Sequence, residues 1–146
     1  SLSEWRKVVS FNLDTIFFVS KLVLSLMVKR KSGVIINISS IAGRHRSIVS
    51  GSHYVSSKAG LIGLSKQLAF EYAEYNIRVN TVCPSQTLTS MLKKTMSKKQ
   101  ILDLEKNIPL KRIALVDEQV WPIMFLASGA SSYITGAVLD VNGGII

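Results

Sequence analysis

Gly33-Val34-Ile35-Ile36-Asn37-Ile38-Ser39-Ser40, followed fourteen residues after Ser40 by Tyr54-Val55-Ser56-Ser57-Lys58, decides how this chain folds. Val34 to Ile38 is a nearly continuous apolar run of strand length, the pattern of a parallel-sheet strand covered on both faces. Such a strand expects a neighbour on each edge. Tyr54 heads a different pattern, in which Leu61, Leu64, Leu68 and Tyr72 recur every three to four residues and predict a helix to about Glu74, with Gly60 and Gly63 allowing close approach. One helical turn separates Tyr54 from Lys58, so a phenol and an ammonium share a helix face about 5–6 Å apart at Cβ. An unperturbed tyrosine titrates near 10; one that exchanges a proton near neutrality needs roughly two to three units of depression, on the order of 3–4 kcal/mol. A cation one turn away acts in that direction. The same pair also occurs as ordinary surface residues, and the neighbourhood decides between the two.

Working outward, the pattern predicts a helix from Ser3 to Lys29, the strand Val34 to Ile38, a loop to Ser52 and the Tyr54 helix. A strand from Arg78 to Val82, a loop with short helices to Asn107, a helix from Asp117 to Ala127 and a strand from Ala137 to Val141 follow. Pro122 sits early in its helix, where a proline is tolerated only within the first turn. Helices alternating with short apolar strands make the fold class α/β, with right-handed crossovers and one continuous unit over residues 1–146. Ser40, at the carboxyl end of its strand, lies where open α/β sheets bind ligands, and its hydroxyl can hydrogen-bond a carbonyl oxygen as charge builds there. Ser40 would also serve as a turn serine capping loop amides, and Ser39 is the competing assignment. Read alone, Asn12 is a buried, satisfied amide, and Pro84-Ser85-Gln86-Thr87-Leu88-Thr89 a surface turn.

The ordered set of motifs resembles the short-chain dehydrogenase/reductase family over essentially the whole chain. Ser3-Glu4-Trp5 through Asn12-Leu13 is similar to the helix carrying that family's active-site Asn, and Gly33 to Ser40 to the strand ending in its serine. Ile77-Arg78-Val79-Asn80-Thr81-Val82-Cys83-Pro84 is similar to the following strand and cofactor turn; Phe125 to Ser128, Ile134 to Gly136 and Asn142-Gly143-Gly144 are similar to the C-terminal end. The resemblance implies a partial Rossmann-like, doubly wound parallel sheet, its last three strands with flanking helices. It also implies an oxidoreductase interconverting a carbonyl and a secondary alcohol with NAD or NADP. Asn12, Ser40, Tyr54 and Lys58 would be its catalytic set, with Tyr54 the general acid/base, Lys58 on the nicotinamide ribose, and Asn12 in a local disturbance of its helix. Pro84, Ser85, Thr87 and Thr89, with Tyr54 and Lys58, would hold the cofactor. The family places its serine second in the pair, thirteen residues before the tyrosine, which favours Ser40 and implies a one-residue loop insertion. Ser85 stands where the family usually has Gly, and its Cβ would constrain the turn.

The family's Gly-rich phosphate turn and its Asn-Asn-Ala-Gly segment do not occur here. The resemblance therefore implies that at least three strand-helix units of roughly 30 residues each precede this chain, making it the C-terminal part of one NAD(P)-binding domain. Exposed apolar surface is then expected unless another segment or chain covers it.

The balance is basic, 18 Lys and Arg against 9 Asp and Glu. The charges lie in short groups such as Lys29-Arg30-Lys31, without an aromatic stacking platform or recognition helix, so no nucleic-acid partner is expected. An anionic cofactor or an acidic carrier protein is the partner class that such charge suits. Cys83 is single, read as a small buried residue in a reducing, cytoplasmic compartment. No Cys or His cluster has metal-ligand spacing, so no metal is expected. His53 is read as a solvated loop residue. The apolar run Phe11 to Val28 is interrupted by Asn12, Asp14 and Lys21, which favours a long helix largely buried in a soluble protein, with one face free for another subunit, over a membrane span. By family analogy, this helix and the one after Tyr54 build the interface of a dimer or tetramer. The competing function class is a non-catalytic dimerisation or scaffold module. Substrate choice is assigned to Ser90 to Asn107, whose Met91, Leu92, Met96, Ile101 and Leu104 suit a lipophilic acyl substrate or a lid packed on the core.

Overall fold

Ser1 starts the first helix by accepting the Glu4 amide at 3.2 Å on its hydroxyl. The computed structural model describes residues 1–47 and 49–146. Helix α1 (Leu2–Val9) runs into a π-turn over Ser10–Asp14, where the Thr15 amide and hydroxyl both reach the Ser10 carbonyl, and continues as α2 (Thr15–Arg30). Then come β1 (Gly33–Ile38), the one-turn helix α3 (Ile41–Arg44), α4 (Ser52–Tyr72) and β2 (Ile77–Pro84). The chain closes with α5 (Ser90–Thr95), α6 (Lys98–Lys106), α7 (Val116–Ala127) and β3 (Val138–Val141). β1 and β2 are each entered from a left-handed residue nearby, Lys31 at φ 50° and Asn76 at φ 57°.

The sheet is fully parallel in the order β1-β2-β3, with Ile38 opposite Val82 and Cys83 opposite Asp140. Ile77 and Val79 pack with Leu24 of α2 and Leu68 and Ala69 of α4; full burial of such side chains contributes about 1.5–3 kcal/mol each. Alternate residues of β2 point the other way. There the Arg78 guanidinium donates to the carbonyls of Leu126 and Ser128 at the end of α7, to Ser131 Oγ, and to the Ile134 carbonyl, all at 3.0–3.3 Å. Asn80, fully buried, donates to the Ile134 carbonyl and accepts the Ala137 amide. Helices thus cover both faces, as a doubly wound sheet requires.

Four expectations are corrected. The first helix is not largely buried: Ser20 and Leu24 are the buried residues of α2, while Phe11 is 77% and Leu22 71% exposed. Only the stripe of Leu24, Met27 and Val28 meets the core. Its length and hydropathy would suffice to cross a membrane, by composition alone. Secondly, the loop before Ser52 contains α3, because Ser40 caps it. Pro122 lies at the seventh position of α7, beyond the first turn, where it supplies no amide to the Glu118 carbonyl; an interior proline costs a helix about 3 kcal/mol. Lastly, His53 is not a solvated loop residue but the second residue of α4, with Nε2 3.5 Å from Glu4 Oε1. The periodic Leu61 and Leu68 of α4 are buried within this chain, whereas Phe70 is 82% exposed.

Near the start of α7, Arg112 donates to both Glu118 carboxylate oxygens at 2.6 Å, and Glu118 also accepts the Leu115 amide. These contacts, the Arg112 hydrogen bond foremost, hold the Glu118 carboxyl at about 2 instead of 4.5. A carboxyl depressed on folding contributes stability above its unfolded value and loses it as pH falls through the folded one. The melting-temperature gap between the parent protein and Glu118→Gln should therefore be constant above about pH 5 and close toward pH 2; a gap independent of pH would contradict this pairing. Arg78→Met leaves several carbonyls without their donor and should cost about 2–3 kcal/mol in denaturant unfolding.

Candidate active site

Parallel pairing brings β1 and β2 to an end together, so the residues after each strand emerge at one edge of the sheet. Ser39 comes first. Its amide donates to the Val82 carbonyl at 2.8 Å and its hydroxyl to the Lys58 carbonyl at 2.8 Å, and it is buried. That side chain is committed to docking α4. Ser40 is only half-buried; its hydroxyl accepts the Ala42 amide at 3.1 Å as the N-cap of α3. A cap of this kind uses a lone pair and leaves the O–H able to donate. Both uses weighed from the sequence, cap and donor, are thus compatible in one residue.

Lys58 and Tyr54 share a face of α4, with Lys58 Nζ 5.7 Å from the centroid of the Tyr54 ring. Lys58 Nζ also donates to the Ile38 carbonyl at 3.0 Å, which fixes the ammonium at the end of β1. Burial pushes the Lys58 pKa below its ordinary value, with Cys83 acting weakly the other way. One bond to Ile38 leaves two further N–H donors for a ligand hydroxyl.

Asn12 sits in the π-turn, the local disturbance that the family resemblance implied. Its Nδ2 donates to Ser57 Oγ at 3.2 Å, and the Ser57 hydroxyl donates to the Tyr54 carbonyl at 2.8 Å. The amide is therefore tied to α4 one residue before Lys58. Gly60 of α4 faces Leu13 of the same turn, where an added Cβ would meet Leu13 Cδ2 at 3.0 Å.

Pro84 to Thr89 is anchored rather than a free surface turn. The Ser85 amide donates to the Val141 carbonyl, Thr87 bridges to Ala114, and the Thr87 hydroxyl donates to the Ser85 carbonyl at 3.2 Å. Thr89 accepts the Leu92 amide on its hydroxyl as the N-cap of α5, again leaving its O–H to donate. Between this turn and α3 opens a cleft of about 360 Å³, lined by Ile41, Ala42, His45, Gln86, Leu104 and Ile108 among others. Of the apolar residues assigned to substrate choice from the sequence, Leu104 lines it; Met91 is exposed.

One ion pair at this edge escaped the sequence analysis. Arg44, the last residue of α3, donates from Nε to both oxygens of Asp140 at 3.1 Å and from Nη2 to Oδ2 at 3.0 Å. The partners are 96 residues apart, and no local spacing could have joined them. Cys83, opposite Asp140 in the sheet, is fully buried; burial first, then the Asp140 carboxylate, raises its thiol pKa, against hydrogen bonding from Ser39 and the Ser40 backbone. Among the described residues, no group of three His, Cys, Asp or Glu is placed to hold a metal.

A family profile described as Enoyl-(Acyl carrier protein) reductase matches residues 1–146. The chain is 41% identical over 145 residues to an acetoacetyl-CoA reductase of Acinetobacter sp. (strain RA3849), covering 99% of this chain and 58% of that protein. It is 42% identical over 145 residues to a 3-oxoacyl-[acyl-carrier-protein] reductase of Chlamydia trachomatis, with the same two coverages. The crystal structure of a 3-oxoacyl-[acyl-carrier protein] reductase with bound NAD from Brucella melitensis superposes with a TM-score of 0.91 at 33% identity, over 99% of this chain and 53% of that one. The chain thus spans rather more than half the length of the proteins it matches. Similarity of this extent, on a parallel sheet whose Ser, Tyr and Lys gather at one edge, settles the lineage: the chain belongs to the short-chain dehydrogenase/reductase family.

Proposed function

We propose that this chain is the C-terminal part of an NAD(P)-dependent oxidoreductase domain that interconverts a carbonyl and a secondary alcohol. The observation that carries this reading is the placement of Lys58, lying over the Tyr54 ring and bonded to the Ile38 carbonyl two residues before the half-buried Ser40. In this reading Tyr54 gives a proton to the substrate oxygen on reduction and takes it back on oxidation. The Ser40 O–H, left over from capping α3, donates to the same oxygen as charge develops on it. Lys58 holds the phenol in its field, and Asn12 keeps α4 in place through Ser57.

The residues present suit the nicotinamide half of a dinucleotide. Lys58 retains two donors, Thr89 retains its O–H, and Thr87 is held by its bridge to Ala114, so Lys58, Ser85, Thr87 and Thr89 would hold that half. When bound, NAD or NADP supplies or accepts the hydride. The phosphate-binding Gly-rich turn is not in this sequence; the choice between the two dinucleotides and most of their binding free energy would lie in preceding residues. The cleft has apolar walls in Ile41, the residue that follows Ser40 in the chain, Leu104 and Ile108, which suits an acyl chain carrying the carbonyl. Together with the names of the relatives, this favours a 3-oxoacyl thioester, delivered by an acidic carrier protein to a basic surface. The open faces around Phe11, Leu22 and Phe70 would be covered in a homo-oligomer or by preceding segments of the same domain.

In the complete enzyme, Tyr54→Phe should lower kcat by about 10²–10⁴-fold while leaving cofactor affinity, followed by nicotinamide fluorescence, close to that of the parent. Undiminished turnover would remove Tyr54 from the mechanism.

A further inference from the structure

We infer that Arg44 and Asp140 are positioning residues for Ser40, an inference that rests on the catalytic reading just given. Ser40 is the cap of a single helical turn, α3, and four residues are too few to hold a helix or its direction in isolation. Within the turn, the Ser40 hydroxyl accepts the Ala42 amide, the Ser40 carbonyl accepts the Gly43 amide at 2.9 Å, and the Ile41 carbonyl accepts the His45 amide at 3.0 Å. These bonds make Ser40 and α3 one rigid piece. They do not say where that piece points.

Contacts outside the turn do, the burial of Ala42 among them. On one side Gly43 lies against the backbone of Lys58: an added Cβ would sit 2.7 Å from the Lys58 carbonyl carbon and 2.9 Å from Ser39 Oγ. This contact, with the burial of Ala42, sets the distance of α3 from α4. On the other side the Arg44 fork closes on Asp140 with three hydrogen bonds. Asp140 belongs to β3 and stands opposite Cys83 in the parallel ladder, so the far end of the clamp is anchored in the sheet. A planar guanidinium on a planar carboxylate fixes orientation as well as distance. With both contacts made, the Ser40 O–H is aimed from the sheet that also carries Pro84 and Ser85.

Stability alone gives a poor account of the pair. Its side chains are 38% and 23% exposed, and ion pairs in contact with water add little to folding free energy. Its geometric effect falls on the reacting edge, four residues from Ser40. The electrostatic route is less apt, since the carboxylate offsets the arginine charge at short range.

The test uses kcat, cofactor affinity and melting temperature of the complete enzyme carrying Arg44→Met, Asp140→Asn, Ser40→Ala and the double change Ser40→Ala with Arg44→Met. Asp140→Asn serves as the second variant should Arg44→Met fold poorly. Removing the Ser40 donor should lower kcat about 10²–10³-fold, and releasing the clamp about 10–100-fold, with cofactor affinity close to the parent's. Arg44→Met should have almost no further effect once Ser40 is alanine, and Arg44→Lys, which keeps the charge and loses the fork, should recover only part of kcat. Full kcat in Arg44→Met and Asp140→Asn, or an Arg44→Met factor that multiplies undiminished on Ser40→Ala, overturns the inference. An inactive Ser40→Ala beside a fully active Arg44→Met overturns the clamp alone, whereas a fully active Ser40→Ala overturns the catalytic reading and the clamp with it.

Discussion

The parallel register between β1 and β2 is the constraint on which the site depends. Because Ile38 stands opposite Val82, the Ser39-Ser40 pair and the Pro84-Ser85 turn leave the sheet side by side. A parallel pair requires a crossover, and here that crossover is α4, whose first turns carry Tyr54 and Lys58. Lys58 then closes the unit by donating to the Ile38 carbonyl, the last of β1. A slip of one residue in the β1 register would move that carbonyl and turn the apolar faces of the strand over. Strand pairing, crossover packing and the geometry of the proposed catalytic set are therefore one structural decision.

Buried polar groups hold that decision in place. Asn37 of β1 donates to Ser65 of α4, Asn80 of β2 is satisfied on both sides by the segment entering β3, and Arg78 gathers the carbonyls beyond α7. Each links a strand to the crossover that precedes or follows it. Apolar packing of Leu24, Leu68, Ile77 and Val79 supplies the driving force, but it is non-directional. The side-chain amides and the guanidinium have directions, and removing one partner leaves the other buried without its bond.

Periodicity and strand length made the alternation of helices and strands legible, since burial on both faces leaves the nearly continuous apolar run Val34 to Ile38, and β1 and β2 exceed the expected 34–38 and 78–82 by a residue or two at most ends. The Tyr54 and Lys58 face was legible from helical spacing, and the π-turn around Asn12 only through family resemblance. Helix α3 was not legible. Ile41-Ala-Gly-Arg44 is too short for a hydrophobic period, and its cap, Ser40, reads equally well as a turn serine. The burial of the first helix was misjudged because an apolar composition states how much surface seeks cover and not which segment supplies it. The Arg44–Asp140 pair depends on the β2 and β3 register, which is a tertiary fact.

The exposed helix and the proposed site are joined through the π-turn. Phe11 points to solvent from the same turn in which Asn12 reaches Ser57 and Leu13 meets Gly60. A π-turn carries one residue more than an α-turn, so its geometry depends on contacts along both faces more than that of a regular helix does. On the inner face those contacts are already made. On the outer face, Phe11, Phe18 and Leu22 lie open, and whatever covers them constrains the turn from that side. Cover on this surface would therefore act on α4 through Asn12 and Ser57, one residue from Lys58. The exposed surface and α4 are thus joined by one element, because the π-turn that carries Phe11 outward also carries Asn12 inward to Ser57.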